Sequence, residues 1–154
     1  AAGIIGMNET FSPYDSDAAF LIGAFVFEDV GVTAYNGAAP LIQNKQYLAA
    51  AASILAVEGY HAGGIRANLI AANFAGTTLA AKAANAISAL RAKVGGGKDQ
   101  GITTSDGMAH LVPADPDNSF AFARTPAEVL AIVYLGSASA PGGFFPRGLN
   151  GNIR

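Results

Sequence analysis

Two long stretches of small and apolar residues, roughly 18–42 and 47–72, constrain this chain more than any other feature. Each is long enough to cross a bilayer, whose hydrocarbon core takes about 20 helical residues. The first carries Glu28 and Asp29 near its middle, and the second carries Glu58, His61 and Arg66. Charges at mid-span are costly unless they are paired or functional. The two stretches are therefore expected to be buried helices of a soluble fold, with no membrane span. Composition agrees with close helix packing. Charged residues make up 13% of the 154, against about 25% in ordinary soluble domains. Mean hydropathy is +0.34, and much of the apolar content is alanine beside 19 glycines. Such a surface suits coverage by other chains.

Local signals divide the chain into a lead-in over 1–15, a helical part over 16–94, and an irregular C-terminal third over 95–154. Asp15-Ser16-Asp17 offers N-cap chemistry, which predicts a helix over 17–38, apolar nearly all round and so buried on several sides. Asn36-Gly37 and Pro40 end it. A second helix is expected over 44–74, with Gly63-Gly64 allowing a kink or close backbone contact. Thr77 or Thr78 would cap a third, ended by Gly95-Gly96-Gly97. The loop that follows is expected to hold a short hairpin around Ile102 and Leu111-Val112. Thr125-Pro126-Ala127-Glu128 then combines an N-cap Thr, Pro at N1 and Glu at N3, predicting a short helix to about Leu135. The tail, with Phe144-Phe145, reads as an extended strap with a hydrophobic latch. No repeat at a solenoid period is present.

Several functions are excluded by residue type. Nine basic and eleven acidic residues, scattered singly, give no electrostatic footprint for nucleic acid. With no cysteine there is no disulfide, thiolate metal site or thiol nucleophile. Gly95-Gly96-Gly97-Lys98 follows a helix, and Asp99 stands where a phosphate loop needs Ser or Thr, so it reads as a helix end. No Gly-x-Ser-x-Gly elbow supports a hydrolase. His110 falls in a polar loop and reads as a surface histidine. Ala1-Ala2-Gly3 begins no signal-peptide pattern, while the sequon Asn8-Glu9-Thr10 hints at a secreted or extracellular location.

Most acids fall in loops or at helix starts, but Glu28 and Glu58 sit on apolar helical faces. His61 follows Glu58 by three residues, so both side chains leave the same face of one helix. A carboxylate in such surroundings needs a cation, a donor or a metal. Glu-x-x-His on one helix with a lone Glu on another is half of a di-iron carboxylate site, which uses two of each inside a four-helix bundle. One turn apart, the carboxylate can chelate a hard cation while the imidazole binds terminally. The alternative is a satisfied polar core in which Glu58 pairs with His61, with Arg66 or with Tyr35. No catalytic residue is assigned.

The stretches FLIGAFVFEDVGVTAYNGAAPLI (20–42), ILAVEGYHAGGIR (54–66), FARTPAEVLAIVYL (122–135) and PGGFFPRGLNGNI (141–153) resemble the ferritin-like desiccation-related proteins. The resemblance runs from about Phe11 onward. It implies a mainly α, ferritin-like helical bundle, of which this chain carries the C-terminal half, with a loop-rich C-terminal third. In that pattern Glu28 corresponds to the lone glutamate of the third bundle helix, and Glu58 with His61 to the Glu-x-x-His of the fourth. Family members have a preceding pair of helices that supplies the other half of the site. A separate N-terminal half or a homo-oligomer, such as a two-fold dimer, would then complete it. The implied cofactor is iron or manganese on Glu28, Glu58 and His61, with Tyr35 as a hydrogen-bond donor to the ligands and ferroxidase-like chemistry if the full site forms. The competing expectation is a metal-free structural or stress-associated subunit of an extracellular array or larger complex.

Overall fold

Four α-helices and one short 3-10 turn account for the regular structure among the described residues. The structure, a computed structural model, describes the chain apart from residues 1, 2, 4, 7, 8, 75–77, 105 and 151–154; of 73, 74 and 78 it describes the backbone alone. Asn8 of the sequon and the candidate cap Thr77 lie outside the described residues. Helix α1 spans Asp17–Ala38, α2 Lys45–Phe74, α3 Thr78–Val94 and α4 Pro126–Val133. The mainly helical character expected of the sequence is what the described residues adopt.

The helix boundaries follow from their capping residues. Ser16 accepts a hydrogen bond from the Ala19 amide at 3.1 Å, and Asn44 accepts from Gln46 and Tyr47 at 2.9 and 3.2 Å. Both caps satisfy amides that have no partner inside their own helix. At α4 the Thr125 side chain and Glu128 form a reciprocal capping box. Helix α3 ends where Gly97 donates back to Ala92 O, a closure that draws on the positive φ of Gly96 and Gly97.

The apolar core lies between α1, the C-terminal half of α2, and α3. Phe25, Leu69, Ala84 and Ile102 are almost fully enclosed there. Small alanines on α3 let the helices approach closely. The loop before α4 is pinned onto α1: the Arg124 amide donates to Thr33 O at 2.9 Å, and Asn36 donates to the Ala121 and Phe122 carbonyls. A Cβ at position 37 would lie 1.9 Å from the Arg124 carbonyl oxygen. Gly37 is therefore a condition of that contact.

Several expectations are corrected by the structure. Helix α1 is buried on one side only; Phe20 and Phe27 on its other side are exposed. Much of α2 is open as well, with Tyr47, Ile54, Val57 and Tyr60 facing outward. Both helices remain long and apolar enough to cross a membrane by length and composition, yet only 22% and 11% of their most apolar windows are buried. The chain supplies α3 and loops to one side of the pair and, among the described residues, little beyond Phe144 against Phe27 to the other, so a pattern read as all-round burial becomes half a buried surface. At Gly63-Gly64 the helix is continuous and an added Cβ would touch nothing, so no close backbone contact is made there.

Two further corrections concern the loops. The hairpin-like pairing joins Thr103 to Ala109, with His110 N donating to Ile102 O, while Leu111 and Val112 lie exposed beyond it. The tail is folded back, not extended: Gly142 bridges Phe145, Phe144 N donates to Val133 O, and Leu149 N donates to the Tyr134 hydroxyl. Phe144 packs edge-on against Phe27, with ring centroids 4.9 Å apart, in the manner of a latch.

Candidate metal centre

Helices α1 and α2 pack against each other more extensively than any other pair, and this contact brings Glu28 of one to Glu58 and His61 of the other. One ligand atom from each of the three lies within 4.8 Å of the others. His61 Nδ1 stands 3.3 Å from Glu28 Oε2. The glutamates are partly buried and the imidazole is exposed, so the trio sits at the edge of the helix pair, closed beneath and open above.

Gly31, one turn beyond Glu28, makes room for the second carboxylate. A Cβ at position 31 would lie 2.8 Å from Glu58 Oε2 and 2.9 Å from its carboxyl carbon. Glu28 Oε2 is shut off from solvent without a hydrogen-bond partner among the described residues. The Glu58 carboxyl is raised above its ordinary value of 4.5, first by burial and then by the adjoining Glu28, against which His61 acts weakly in the other direction. Two carboxylates that repel, an unsatisfied oxygen and an imidazole within reach form a donor set that fits a hard or borderline cation.

Asp29, the next residue, points into a different environment. Arg66 binds it bidentately through Nε and Nη2 at 3.0 and 2.9 Å, and Arg91 adds a third bond at 2.8 Å. Arg91 continues to Asp99 at 2.8 Å, and Arg124 reaches Asp99 at 3.1 Å. Arg66 also donates to the Gln100, Gly101 and His110 carbonyls, while Arg124 donates to Thr33 Oγ1, Gly95 O and Lys98 O. Both Arg66 and Arg91 lie over the Phe25 ring. All three arginines are at most 2% exposed. Burial depresses the Arg124 guanidinium from its ordinary value, and Asp99 opposes that shift. This network ties α1, α2, α3 and the C-terminal loop together.

The structure places the three ligand candidates read from the sequence near one another, but burial is deepest elsewhere. Arg66, weighed as a partner of Glu58, is wholly committed to Asp29 and backbone carbonyls. Tyr35 makes no side-chain hydrogen bond among the described residues, so a direct link to the trio is not formed. Asp99 reads as a loop acid, yet it is the second anion of the buried network. One signal was available: Asp29, Arg66 and Arg91 are charges inside otherwise apolar helices, and such charges need partners.

The ferritin-like domain family matches residues 4–71, a span that contains all three residues of the trio. The chain is 30% identical to a ferritin-like catalase, Nec2, of Nesocodon mauritianus, over 93% of its own length. It is 32% identical to the desiccation-related protein PCC13-62 of Craterostigma plantagineum, over 94%. In each case the match covers 50% of the relative, so the chain spans about half the length of the curated relatives it matches. No solved structure matches it significantly.

Proposed function

We propose, from the premise that this chain belongs to a ferritin-like, desiccation-related family, that it is a non-haem metal-binding stress protein. Glu28, Glu58 and His61 would hold iron or manganese as half of a di-metal carboxylate site. The observation that carries the reading is the convergence of these donors around a solvent-shielded Glu28 Oε2, which His61 Nδ1 approaches to 3.3 Å without a hydrogen bond, with Gly31 leaving space for Glu58. A second pair of helices would complete the site, either from a separate N-terminal half or from a second copy of this chain. The outward apolar residues Phe20, Tyr47 and Tyr60 supply surface for such an addition.

Bound iron or manganese would supply one-electron redox chemistry toward oxygen or peroxide. The chain's own residues do the rest. Glu28 and Glu58 provide negative charge on two helices, and His61 provides a neutral nitrogen ligand beside them. In the absence of a cation, a proton on the Glu58–Glu28 pair relieves their repulsion, as the raised Glu58 carboxyl indicates. Metal binding releases that proton. Peroxide consumption is the activity favoured by the name of the Nesocodon mauritianus relative, and a ferroxidase-like reaction uses the same ligands.

The test is metal content of the protein purified without added metal, beside His61→Ala. The expected result is first-row metal in the wild type, about two ions per completed site, and loss of metal in His61→Ala with helical content intact. Wild-type protein that retains none when offered Fe(II) or Mn(II) would sink the proposal. The exposure of His61 and the outward apolar faces favour a second reading, a metal-free assembly subunit of an extracellular array. A large metal-free complex is its signature.

A further inference from the structure

Arg66 uses all five of its N–H groups, the full complement of a guanidinium. Nε and one Nη2 hydrogen take the two Asp29 oxygens at 3.0 and 2.9 Å. The others go to the carbonyls of Gln100 at 2.6 Å and of Gly101 and His110 at 3.0 Å each. Those carbonyls are themselves held. The Gln100 side chain clasps the Ala114 backbone in both directions, at 2.9 and 3.1 Å, and Ile102 N donates to Asn85 Oδ1 of α3 at 2.9 Å. The Arg66 side chain is wholly enclosed and lies over the Phe25 ring.

We infer that Arg66 is a positioning residue of the candidate metal centre: its fork on Asp29 fixes the register of α1 against α2 that brings Glu28 to Glu58 and His61. This role rests on the metal reading for its chemistry and on the helix contact alone for its geometry. Asp29 directly follows Glu28 on α1, and Arg66 stands five residues beyond His61 on α2. A bidentate carboxylate–guanidinium pair tolerates little sliding or rotation. Fixing Asp29 against Arg66 therefore fixes Glu28 against the two ligand candidates of α2. One ligand atom from each of the three lies within 4.8 Å of the others. A slide of one helical turn covers about 5.4 Å and would take Glu28 out of the cluster.

Apolar packing alone discriminates poorly between registers here. The buried positions of α2 before Arg66 are alanines, Ala51 and Ala62, whose low ridges mesh with a neighbouring helix in more than one way. The Glu28–Glu58 contact opposes the observed register, because two carboxylates meet there. A buried ion pair adds little net stability over an apolar pair of similar size, and its best-attested service is to select one register. Arg124 provides the contrast within the same network. It is equally buried, yet it bonds Thr33, Gly95, Lys98 and Asp99 and nothing on α2 among the described residues.

The chain has no cysteine, so the double variant Glu28→Cys/His61→Cys reports the register by its rate of cross-linking with a short bis-maleimide, in the absence of metal. Adding Arg66→Lys keeps the charge but removes the fork. It should slow cross-linking about tenfold, a proximity effect, while circular dichroism shows a folded chain. Asp29→Glu, which keeps both charges and lengthens the carboxylate arm by one methylene, is the second variant and should do the same. Arg124→Met should leave the rate unchanged, whatever it costs in stability. In chains that keep Glu28 and His61, Mn(II) affinity by titration calorimetry should fall about tenfold in Arg66→Lys, the scale seen when a partner that orients metal ligands is lost, and hold in Arg124→Met. Parent-rate cross-linking or wild-type Mn(II) affinity in folded Arg66→Lys or Asp29→Glu would overturn the inference. Equal slowing by Arg124→Met, the mark of a general stability effect, would overturn it too. Cross-linking that follows Arg66 in a chain whose wild type binds no Mn(II) would uphold the register and defeat the metal reading instead.

Discussion

Glu28 and Asp29 are adjacent on one helix and meet opposite fates. Asp29 is 4% exposed and accepts three hydrogen bonds from two guanidinia, so both of its oxygens are partnered. Glu28 faces another carboxylate and an exposed imidazole, and its Oε2 accepts no hydrogen bond among the described residues. A buried network whose carboxylates are held by guanidinia specifies packing; in this one Arg91 Nε is the one guanidinium nitrogen without a partner among the described residues. A cluster of like charges with an unmet acceptor costs the fold stability, and such clusters concentrate at functional sites.

The largest expected effect breaks the satisfied side. Asp29→Ala leaves Arg66 and Arg91 buried without a shared anion, which costs about 3–5 kcal/mol. Against a total stability of about 5–15 kcal/mol, urea unfolding followed by circular dichroism should show the loss of a large share of it. A change below about 1 kcal/mol, the level of a surface pair, would show that the network does not hold the helices together. Arg124→Met is a graded version. Asp99 keeps Arg91 and Ser88, while Thr33, Gly95 and Lys98 lose a donor, so the expected cost is smaller, about 2 kcal/mol.

The contrast between these neighbours also explains what could be read from the sequence. Helix boundaries were legible because Ser16, the Gly95–Gly97 run and the Thr125–Glu128 box act locally through backbone groups one turn away. The trio was legible because i and i+3 share a face, and Glu28 stands out in its apolar surroundings. Depth of burial was not legible. It depends on which face of α1 meets α3 and the loop, and periodicity is uninformative when a helix is apolar all round. The Asp29–Arg66–Arg91–Asp99–Arg124 network joins residues up to 91 positions apart when its Thr33–Arg124 link is included. No local rule anticipates such pairing.

Gly31→Ala sharpens the comparison on the open side. Alanine within a helix gains about 0.5–1 kcal/mol over glycine, so the thermal transition should hold steady or rise. The new Cβ would occupy the place of the Glu58 carboxylate and force it aside. Mn(II) affinity measured by titration calorimetry should fall about tenfold, equivalent to about 1.4 kcal/mol. Stability and ligand binding thus move in opposite directions at a single position. Unchanged affinity would mean that Glu58 does not ligate from the position it occupies here.

The smallest effect concerns the proton on the Glu58–Glu28 pair. Because burial and Glu28 raise the folded Glu58 carboxyl above 4.5, its ionised form is the one the fold disfavours. By linkage, stability is fully present below the unfolded value and is lost as pH rises through the folded value. Metal-free protein should therefore lose stability relative to Glu58→Gln as pH climbs from 4.5 toward neutrality. For a partly exposed group the difference should reach only about 0.5 kcal/mol. A cation replaces the proton, so Mn(II) should bind more tightly as pH rises across the same window, and its stabilisation should exceed the loss at neutral pH. Thermal transitions of both proteins between pH 4 and 8, with and without Mn(II), separate the two contributions. If metal-free wild type and Glu58→Gln track each other throughout, the carboxylates do not repel, and the open cluster is as satisfied as its buried neighbour.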